Sequence, residues 1–542
     1  MEIIITGTTS TSALTALFTR GEVYADSWSR EVRERLNVND PLAGVVVEAL
    51  DSGRHVVITG NAGDGKSHLL ETALDHSRPR QGREVEADAS TPANLTPEHR
   101  VFIRDAATID DARILVWTEA AMSAGAQLVI TLNEGPLMSL ADHQAGEFYR
   151  RVRDAVHARA RGEQAPDPEG VLLLNLAGRQ LVQTDFVAQA LERLLPAVTP
   201  CPACGHDVTC PRTAGRDLLA AAPQAADRIA LLLRLIGHSG TRLTARELWV
   251  FLADLFFGWE CPPRAKEVDQ LPGWWWSRVF DTGTLIGRVI SREFDPIHTA
   301  QAAVDNHLWL GNSARAGLPA AVTPYNPSRI HRRDPVAALR AFESAKRAWF
   351  FLADDLDALA MIDRQSEIPE YVRLVEDASD ESERVARRVV AEVNRYRLRV
   401  SDSKRLHLSR HHRLTVVRRP TLMAASESIP ASSLSVRLPY RHEGHGVDEA
   451  GFAPTRLELS WAAREGSVFG VDYQTWKELR QLRSTHANRT QEALDAALDL
   501  FLSQAPVEPE RDPEIVAVDH ATGTTAKISV RGGKRPMFEV TE

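Results

Sequence analysis

The stretch that decides the fold reads His55-Val56-Val57-Ile58-Thr59, then Gly60-Asn61-Ala62-Gly63-Asp64-Gly65-Lys66-Ser67, then His68-Leu69-Leu70. Its first part is a short apolar run, which is typical of a buried strand. The middle part is a glycine-rich turn with the spacing Gly-x-x-x-x-Gly-Lys-Ser, and the last part begins an apolar helix. A strand, this turn and a helix, in that order, are the context in which such a turn binds phosphate groups.

The polar groups of this turn have predicted partners on a nucleoside triphosphate. The glycines let successive backbone N–H groups point at the phosphates, and the helix N-terminus adds partial positive charge. We expect the lysine to reach the β- and γ-phosphate oxygens and the serine hydroxyl to coordinate Mg²⁺. The predicted nucleotide-binding residues are Gly60, Asn61, Ala62, Gly63, Asp64, Gly65, Lys66, Ser67 and His68. ATP and Mg²⁺ are the predicted cofactors, and the alternative is a glycine-rich turn that contains Lys-Ser by chance.

Short apolar runs alternate with helical periodicity between residues 40 and 180. The runs at 55–59, 101–103, 128–132 and 171–174, with a weaker one at 85–89, are typical of buried parallel strands. Helices are predicted at 67–76, 110–124 and 140–161. This alternation predicts a doubly wound α/β domain, interpreted here as a P-loop NTPase core of AAA-like type with a parallel sheet.

The rest of the chain is predicted to be mostly helical, ending in a small α+β element. Helices are expected at 185–195, 217–236, 244–257, 337–359, 381–398, 473–482 and 490–502, strands at 515–518 and 525–530, a linker at 263–273 and a serine-rich loop at 424–435. Thr244 and Glu247 form a capping-box pattern. Three consecutive tryptophans, 274–276, are interpreted as a packed anchor rather than a base-stacking platform. The predicted domains are an N-terminal segment (1–39), the NTPase core (40–183), a helical lid with a cysteine knob (184–262), a helical domain with a basic stretch (263–423) and an α+β domain (424–542).

A carboxylate is expected at the end of a neighbouring strand, where it would hold Mg²⁺ through water. Asp105 follows the apolar run 101–103, and we predict that it is this Walker B carboxylate. The next residue is Ala106, at a position where active ATPases often carry a glutamate that orients the attacking water. The alternative is that Asp105 only caps the helix at 110–124.

The tip of the next strand carries Asn133 and Glu134. Asn133 is predicted to contact the γ-phosphate or its water, as sensor-1 residues do. Glu134 is predicted to polarise the water in place of the missing Walker B glutamate. With Lys66 and Asp105, these are the predicted catalytic residues. The alternative is a polar pair that begins a turn before Gly135.

An arginine is expected to complete the site, from the same chain or from a neighbouring subunit of a homo-oligomer. The candidates are Arg150, Arg151, Arg153, Arg179, Arg242 and Arg246. Each of them could instead form a surface salt bridge.

Three cysteines and a histidine cluster in the segment 201–210. The spacing C-x2-C-x5-C of Cys201, Cys204 and Cys210, with His206 inside it, favours a structural zinc site completed by His206 or by the distant Cys261. An iron–sulfur cluster and a loop of reduced cysteines are the alternatives.

Composition indicates a cytoplasmic protein with no membrane partner. The chain has 542 residues, four cysteines and a formal net charge of −9, with no signal-peptide pattern and no apolar run of membrane-spanning length. Residues 384–420 nevertheless hold twelve Lys or Arg against two acids. This local positive charge would attract a DNA backbone. The alternative is a solvated helical face paired with acidic segments, or a protein-docking surface.

Taken together, these motifs resemble the P-loop ATPases of bacterial antiphage systems, in particular the DptF type of phosphorothioation-dependent restriction. The resemblance rests on residues 60–70, the turn Asn133-Glu134-Gly135, the stretch 175–181, the cysteine knob, the helix start 244–248 and Arg292-Glu293-Phe294-Asp295-Pro296. It implies an ATPase subunit that acts with nuclease or helicase partners on foreign DNA. The rival hypotheses are an ATP-controlled switch or scaffold with little hydrolysis and, more weakly, a small-molecule kinase.

Overall fold

The computed structural model describes residues 37–78, 84–87, 92, 94–104, 106, 109–163, 165–183, 185–199, 211–257, 274–281, 283–319, 326–354, 356–362, 367–408, 422–425, 427–439, 451–452, 454–462, 468–481, 489–506, 514–519, 522, 524–531 and 537–541. These residues fall into two compact units. The first holds the described residues of 1–237, 241–366 and 442–453, and the second holds those of 238–240, 367–441 and 454–542.

A parallel sheet and its helices open the first unit. In chain order they are α1 (Pro41–Asp51), β1 (His55–Thr59), α2 (Lys66–His76), β2 (Glu84–Glu86), β3 (Arg100–Ile103), α3 (Asp111–Ala124), β4 (Gln127–Leu132), α4 (Glu134–Asp142), α5 (Glu147–Ala160) and β5 (Val171–Asn175). All five strands are parallel, in the order β2-β3-β4-β1-β5. The predicted parallel α/β core is therefore confirmed.

Both faces of the sheet are covered by helices. Val57 and Ile130 pack with the apolar residues of α3, α4 and α5 on one face. Val56 and Val129 pack with those of α1 and α2 on the other face. Because both faces are buried, the strands read as continuous apolar runs rather than as an alternating pattern.

Two predicted helices are in fact pairs of helices. The predicted helix 140–161 is interrupted at 143–146 between α4 and α5, where a Cβ on Gly146 would lie 2.1 Å from the Leu140 carbonyl oxygen. The predicted helix 217–236 is interrupted at Ala222, because Pro223 begins a new helix and disfavours helical backbone in the residue before it.

The remaining described elements of the first unit are helical. They are α6 (Phe186–Leu194), α7 (Pro211–Ala221), α8 (Pro223–His238), α9 (Ala245–Phe257), α10 (Trp275–Arg278), α11 (Leu285–Glu293), α12 (Ala302–Trp309), α13 (Pro327–Ile330), α14 (Pro335–Leu352) and α15 (Ala358–Ile362). Helix α14 ends seven residues before the predicted 359. The predicted linker 263–273 lies outside the described residues.

The tryptophan anchor is confirmed as a packing feature. Trp275 and Trp276 are buried, and the Trp275 indole N–H donates to the Gly215 carbonyl at 3.0 Å. The rings of Trp274 and Trp276 stack with centroids 4.5 Å apart.

Helices and antiparallel sheets make up the second unit. Its elements are α16 (Glu367–Asp377), α17 (Ser382–Leu398), β6 (Arg405–Leu408), β7 (Leu422–Ala425), β8 (Glu427–Pro430), β9 (Leu434–Arg437), β10 (Leu457–Trp461), β11 (Val468–Val471), α18 (Tyr473–Arg480), α19 (Arg489–Ser503), β12 (Glu514–Asp519), β13 (Thr524–Arg531) and β14 (Met537–Thr541). The described strands form sheets in the orders β11-β10-β9, β14-β13-β12-β7 and β6-β8.

The prediction of a loop at 424–435 is wrong. This segment contributes to β7, β8 and β9, because Ile429 and Leu434 are buried while the serines make side-chain hydrogen bonds. The Arg405 guanidinium donates to the Ser428 hydroxyl at 2.7 Å, and the Ser435 and Ser460 hydroxyls lie 2.7 Å apart on neighbouring strands. Within the described part of the chain, none of the helices combines the length and apolar character that crossing a membrane requires.

Candidate nucleotide site

The sheet order makes the carboxyl end of β1 a topological switch point. The chain leaves β1 through α2 on one face, whereas it leaves the adjacent β4 through α4 and α5 on the other face. The ends of β1 and β4 therefore border the kind of crevice in which open α/β sheets bind ligands. The glycine loop (residues 60–67) follows β1 and Asn133 follows β4, so the sheet brings both to this crevice.

The backbone of the glycine loop is bent by two left-handed residues. Gly63 and Gly65 have φ values of 87° and 89°, which side-chain-bearing residues rarely adopt. No side chain caps the amino end of α2. Among the described residues, the backbone N–H groups of Gly63, Gly65 and Ser67 have no hydrogen-bond acceptor. These donors, at the positive end of a helix dipole, suit an anion.

The ammonium group of Lys66 lies at the centre of the crevice. It donates to the carbonyl oxygens of Gly60 at 3.2 Å and Asn61 at 2.8 Å, and to the Asn133 side-chain oxygen at 2.7 Å. The last of these bonds spans from the β1 loop to the tip of β4. Two residues that the sequence predicted to act together are thus in direct contact.

Asp64 turns its carboxylate into the protein, away from solvent. Its side chain is 3% exposed, and Oδ2 accepts from the Asn61 amide at 2.6 Å and from the Arg242 guanidinium. Burial raises the pKa of Asp64, while the charge of Arg242, the Asn61 amide and the charge of Lys66 oppose that shift. The sequence did not predict this pair, because an acid in the loop and an arginine 178 residues away carry no joint pattern.

The start of α9 covers the glycine loop. The Arg246 amide donates to the Gly63 carbonyl at 3.4 Å, and a Cβ on Gly63 would lie 3.3 Å from the Thr244 hydroxyl. The predicted capping box is confirmed, since the Glu247 amide donates to the Thr244 hydroxyl at 3.2 Å and the Thr244 amide donates to the Glu247 carboxylate at 2.8 Å. Residues 242–246 are therefore held directly against the loop.

Of the two predicted catalytic carboxylates, the structure describes Glu134 but not Asp105. Glu134 is the first residue of α4, next to Asn133, and is half-buried; among the described residues its carboxylate makes no hydrogen bond or ion pair. Asp105 lies outside the described residues, although β3 ends two residues before it. Ala106 is 2% exposed and packs in the core between the sheet and α3–α5.

Two buried polar residues at strand tips were missed by the sequence reasoning. Thr59 and Asn175 are register partners at the ends of β1 and β5, and the Thr59 hydroxyl and the Asn175 amide nitrogen lack partners among the described residues. The Asn175 side-chain oxygen accepts from the Ala177 amide and so forms the turn after β5. This turn abuts the loop, because a Cβ on Gly60 would lie 3.3 Å from the Ala177 nitrogen. The polarity of Thr59 and Asn175 at the ends of otherwise apolar strands could have indicated these two residues from the sequence.

Besides Arg242, three of the candidate arginines have structural partners elsewhere in the unit. Arg179 is not a surface residue, because its side chain is only 4% exposed. It forms a two-pronged ion pair with Asp40 at 2.7 and 2.8 Å. Arg150 donates to the His143 carbonyl at 2.7 Å at the end of α4. Arg153 pairs with Asp154 at 3.0 Å. Arg151 is exposed on α5, and its side chain contacts no partner within the described ranges.

The predicted zinc residues Cys201, Cys204, His206 and Cys210, and also Cys261, lie outside the described residues. Across the residues that the structure does describe, His, Cys, Asp and Glu side chains form no group of three or more that could hold a metal ion.

Acids of the same unit neutralise much of the basic stretch. On α17, Arg384 pairs with Asp377 at 2.6 Å, Arg395 with Glu392 at 2.5 Å and Arg397 with Asp499 at 2.9 Å. Further pairs join Arg387 to Glu383 and Arg388 to Glu370. This pairing is what the alternative of a solvated, charge-paired helix predicts for 384–398. Residues 409–420 lie outside the described part.

Comparisons of this chain with protein-family models, with curated proteins and with solved structures find no match.

Proposed function

We propose that this protein binds MgATP in the glycine loop and hydrolyses it to ADP and phosphate, as a P-loop NTPase of AAA-like architecture with α6–α9 as its lid. The observation that carries the proposal is the position of Lys66 at the switch point of the sheet, bonded to Asn133 of the neighbouring strand. A lysine, a row of loop N–H donors and a polar strand tip in one crevice suit a triphosphate better than any other common ligand.

The strand order supports the proposed division of roles. It places β4, which ends before Asn133, between the loop strand β1 and the strand β3 that precedes Asp105. Asn133 would then contact the terminal phosphate, while Ser67 and Asp105 would hold Mg²⁺. The ion, when bound, neutralises charge on the phosphates.

Hydrolysis would proceed by in-line attack of water on the γ-phosphorus. Lys66 would transfer its hydrogen bonds from the carbonyls of Gly60 and Asn61 to phosphate oxygens, since an ammonium group has three N–H donors and no acceptor. Glu134 would accept the water proton as the new P–O bond forms and the bond to the β-phosphate oxygen breaks. ADP and inorganic phosphate leave.

A switch or scaffold that binds ATP with little turnover is the second candidate, and the burial of Ala106 favours it. An apolar side chain in the core cannot polarise water, so the protein would depend on Glu134 alone. Steady-state phosphate release with and without DNA separates the two functions. Turnover that DNA stimulates supports an ATPase, whereas negligible turnover beside clear nucleotide binding supports the switch.

The biological role proposed from the sequence resemblance is that of an ATPase subunit in an antiphage restriction complex. Among the described residues, no group of three or more His, Cys, Asp or Glu side chains could hold the metal ion that many nucleases use, and we therefore propose that DNA cleavage belongs to a partner. The genes encoded beside this one test the role directly. A neighbouring nuclease or helicase gene supports it, and a gene without such neighbours argues against it.

A further inference from the structure

The glycine loop carries the negatively charged Asp64 at the proposed binding site of a nucleotide, whose phosphates are themselves negatively charged. Asp64 lies between the two left-handed glycines, and its buried carboxylate is close enough to Lys66 for their charges to interact. A carboxylate in this position repels phosphate groups unless a cation neutralises it. The loop motif itself leaves this residue free to vary, so its identity calls for a physical reason.

Arg242 supplies the neutralising charge from outside the loop. One of its terminal nitrogens donates both to Asp64 and, at 3.3 Å, to the Leu176 carbonyl in the turn after β5. The guanidinium therefore joins the loop after β1, the turn after β5 and the segment that leads into α9. Its side chain is 28% exposed, so the pair is more sheltered than a surface salt bridge.

The Asp64 carboxylate also shapes the loop. Its Oδ2 accepts from the Asn61 amide at 2.6 Å and lies 2.8 Å from where a Cβ on Gly60 would stand. The Asp64 side chain thus folds back over the start of the loop, and its hydrogen bond to the Asn61 amide fixes the backbone between the two residues. Since Arg242 fixes the same oxygen, loss of the arginine would release the carboxylate from this position.

We propose that Asp64 and Arg242 are a positioning pair, in which the guanidinium neutralises the carboxylate and holds it against the Asn61 amide, so that the loop presents its N–H groups to a nucleotide. This inference rests on the proposed function. It assigns Arg242 to the loop and not to the γ-phosphate. An arginine that acts through the loop affects every nucleotide whose phosphates the loop holds, whereas one that contacts the γ-phosphate affects only the triphosphate.

A double-mutant cycle measured with two nucleotides tests this assignment. Binding of MgATP and MgADP to the full chain is measured by calorimetry for wild type, Arg242→Ala, Asp64→Asn and the double variant. Asparagine removes the charge and keeps one side-chain oxygen that can accept from the Asn61 amide. We expect Arg242→Ala to weaken the binding of both nucleotides by about tenfold or more, because the substitution leaves the buried Asp64 carboxylate unpaired. In the Asp64→Asn background the same change should cost less than about threefold.

Two further variants keep the test decisive. Arg242→Gln removes the charge while retaining hydrogen-bond donors, so it replaces Arg242→Ala if that variant does not fold. Arg292→Ala is the matched control, because Arg292 is an exposed arginine on α11 that, among the described residues, pairs with its neighbour Glu293 alone. This variant should bind both nucleotides like wild type.

The outcomes are distinguishable. A loss confined to MgATP, an equal loss in both Asp64 backgrounds, or no loss at all overturns the positioning pair and leaves the proposed function standing. If the wild-type chain binds neither nucleotide, the proposed function fails and the positioning pair fails with it.

Discussion

Lys66 and Asn133 illustrate how far single residues could be predicted. Their types and positions follow from a motif and from the tip of the next strand, and the structure joins them by a 2.7 Å hydrogen bond. Asp64 could be read from the motif only as a loop residue. Its partner Arg242 is distant in sequence, and that kind of pairing is set by the tertiary fold. Sequence reasoning therefore predicts which side chains are at the site better than which of them bond to each other.

Glu134→Gln tests the predicted base at the residue scale. The amide keeps the shape of the side chain but cannot accept a proton, so we expect nucleotide binding to persist and phosphate release to fall by about a hundredfold or more. Calorimetry and a phosphate-release assay measure the two effects separately. Glu119→Gln, an exposed change on α3, is the control. Turnover within a few-fold of wild type would remove Glu134 from this role.

Asp402 gives a pH-dependent prediction in the second unit. Burial alone would raise the pKa of Asp402, but hydrogen bonds from the Lys404 amide, the His407 ring and the Arg405 amide lower it below the usual aspartate value. A lowered folded-state pKa stabilises the protein above the unfolded pKa of about 4, and this stability is lost as the pH falls through the folded value.

We therefore expect Asp402→Asn to lower the free energy of unfolding at pH 7 by up to about 1 kcal/mol, because charge-assisted hydrogen bonds are lost at a site that solvent partly screens. Urea unfolding at pH 7 and at pH 3 measures the change. The difference between wild type and variant should shrink at the lower pH. An equal difference at both pH values would contradict the account.

At the scale of elements, apolar strands and capped helices were predictable, whereas helix interruptions and serine-containing strands were not. The bounds of β1 and the start of α9 agree with the sequence pattern within one residue. The break between α4 and α5 is set by close backbone approach at Gly146, and helical periodicity continues across it. The strands at 427–437 contain several serines, so the composition of this segment looks like that of a loop. The serine hydrogen bonds that favour strands here are made with other strands, which the local sequence does not show.

Gly146→Ala tests the interpretation of that break. The added methyl group would meet the Leu140 carbonyl at 2.1 Å, so the turn between α4 and α5 must shift. We expect a loss of about 1–3 kcal/mol in the free energy of unfolding, measured by urea denaturation.

Gly44→Ala in α1 is the matched control, because nothing lies within 4 Å of a Cβ there. Removing a helical glycine at an open position should leave stability unchanged or raise it by up to about 1 kcal/mol. Equal effects of the two substitutions would show that close packing does not define the turn.

For the whole molecule, the sequence predicted a parallel α/β core but could not supply its strand order. Short apolar runs indicate buried strands, yet which strand lies beside which depends on crossover connections that the runs do not encode. The observed order brings residues from β1, β4 and β5 to one crevice. The count of basic residues likewise does not give the charge of the folded surface, since arginines of the basic stretch on α17 pair with acids from α16 and α19.

The central claim is that the glycine loop and Lys66 bind a magnesium nucleotide, and isothermal titration calorimetry of the full chain with MgATP tests it most directly. We predict saturable one-site binding by wild type and by the control Lys404→Ala, whose side chain is exposed. Lys66→Ala, folded by circular dichroism, should bind at least about a hundredfold more weakly, because the ammonium group that neutralises the phosphates is gone. No binding by wild type, or equal binding by Lys66→Ala, would contradict the account.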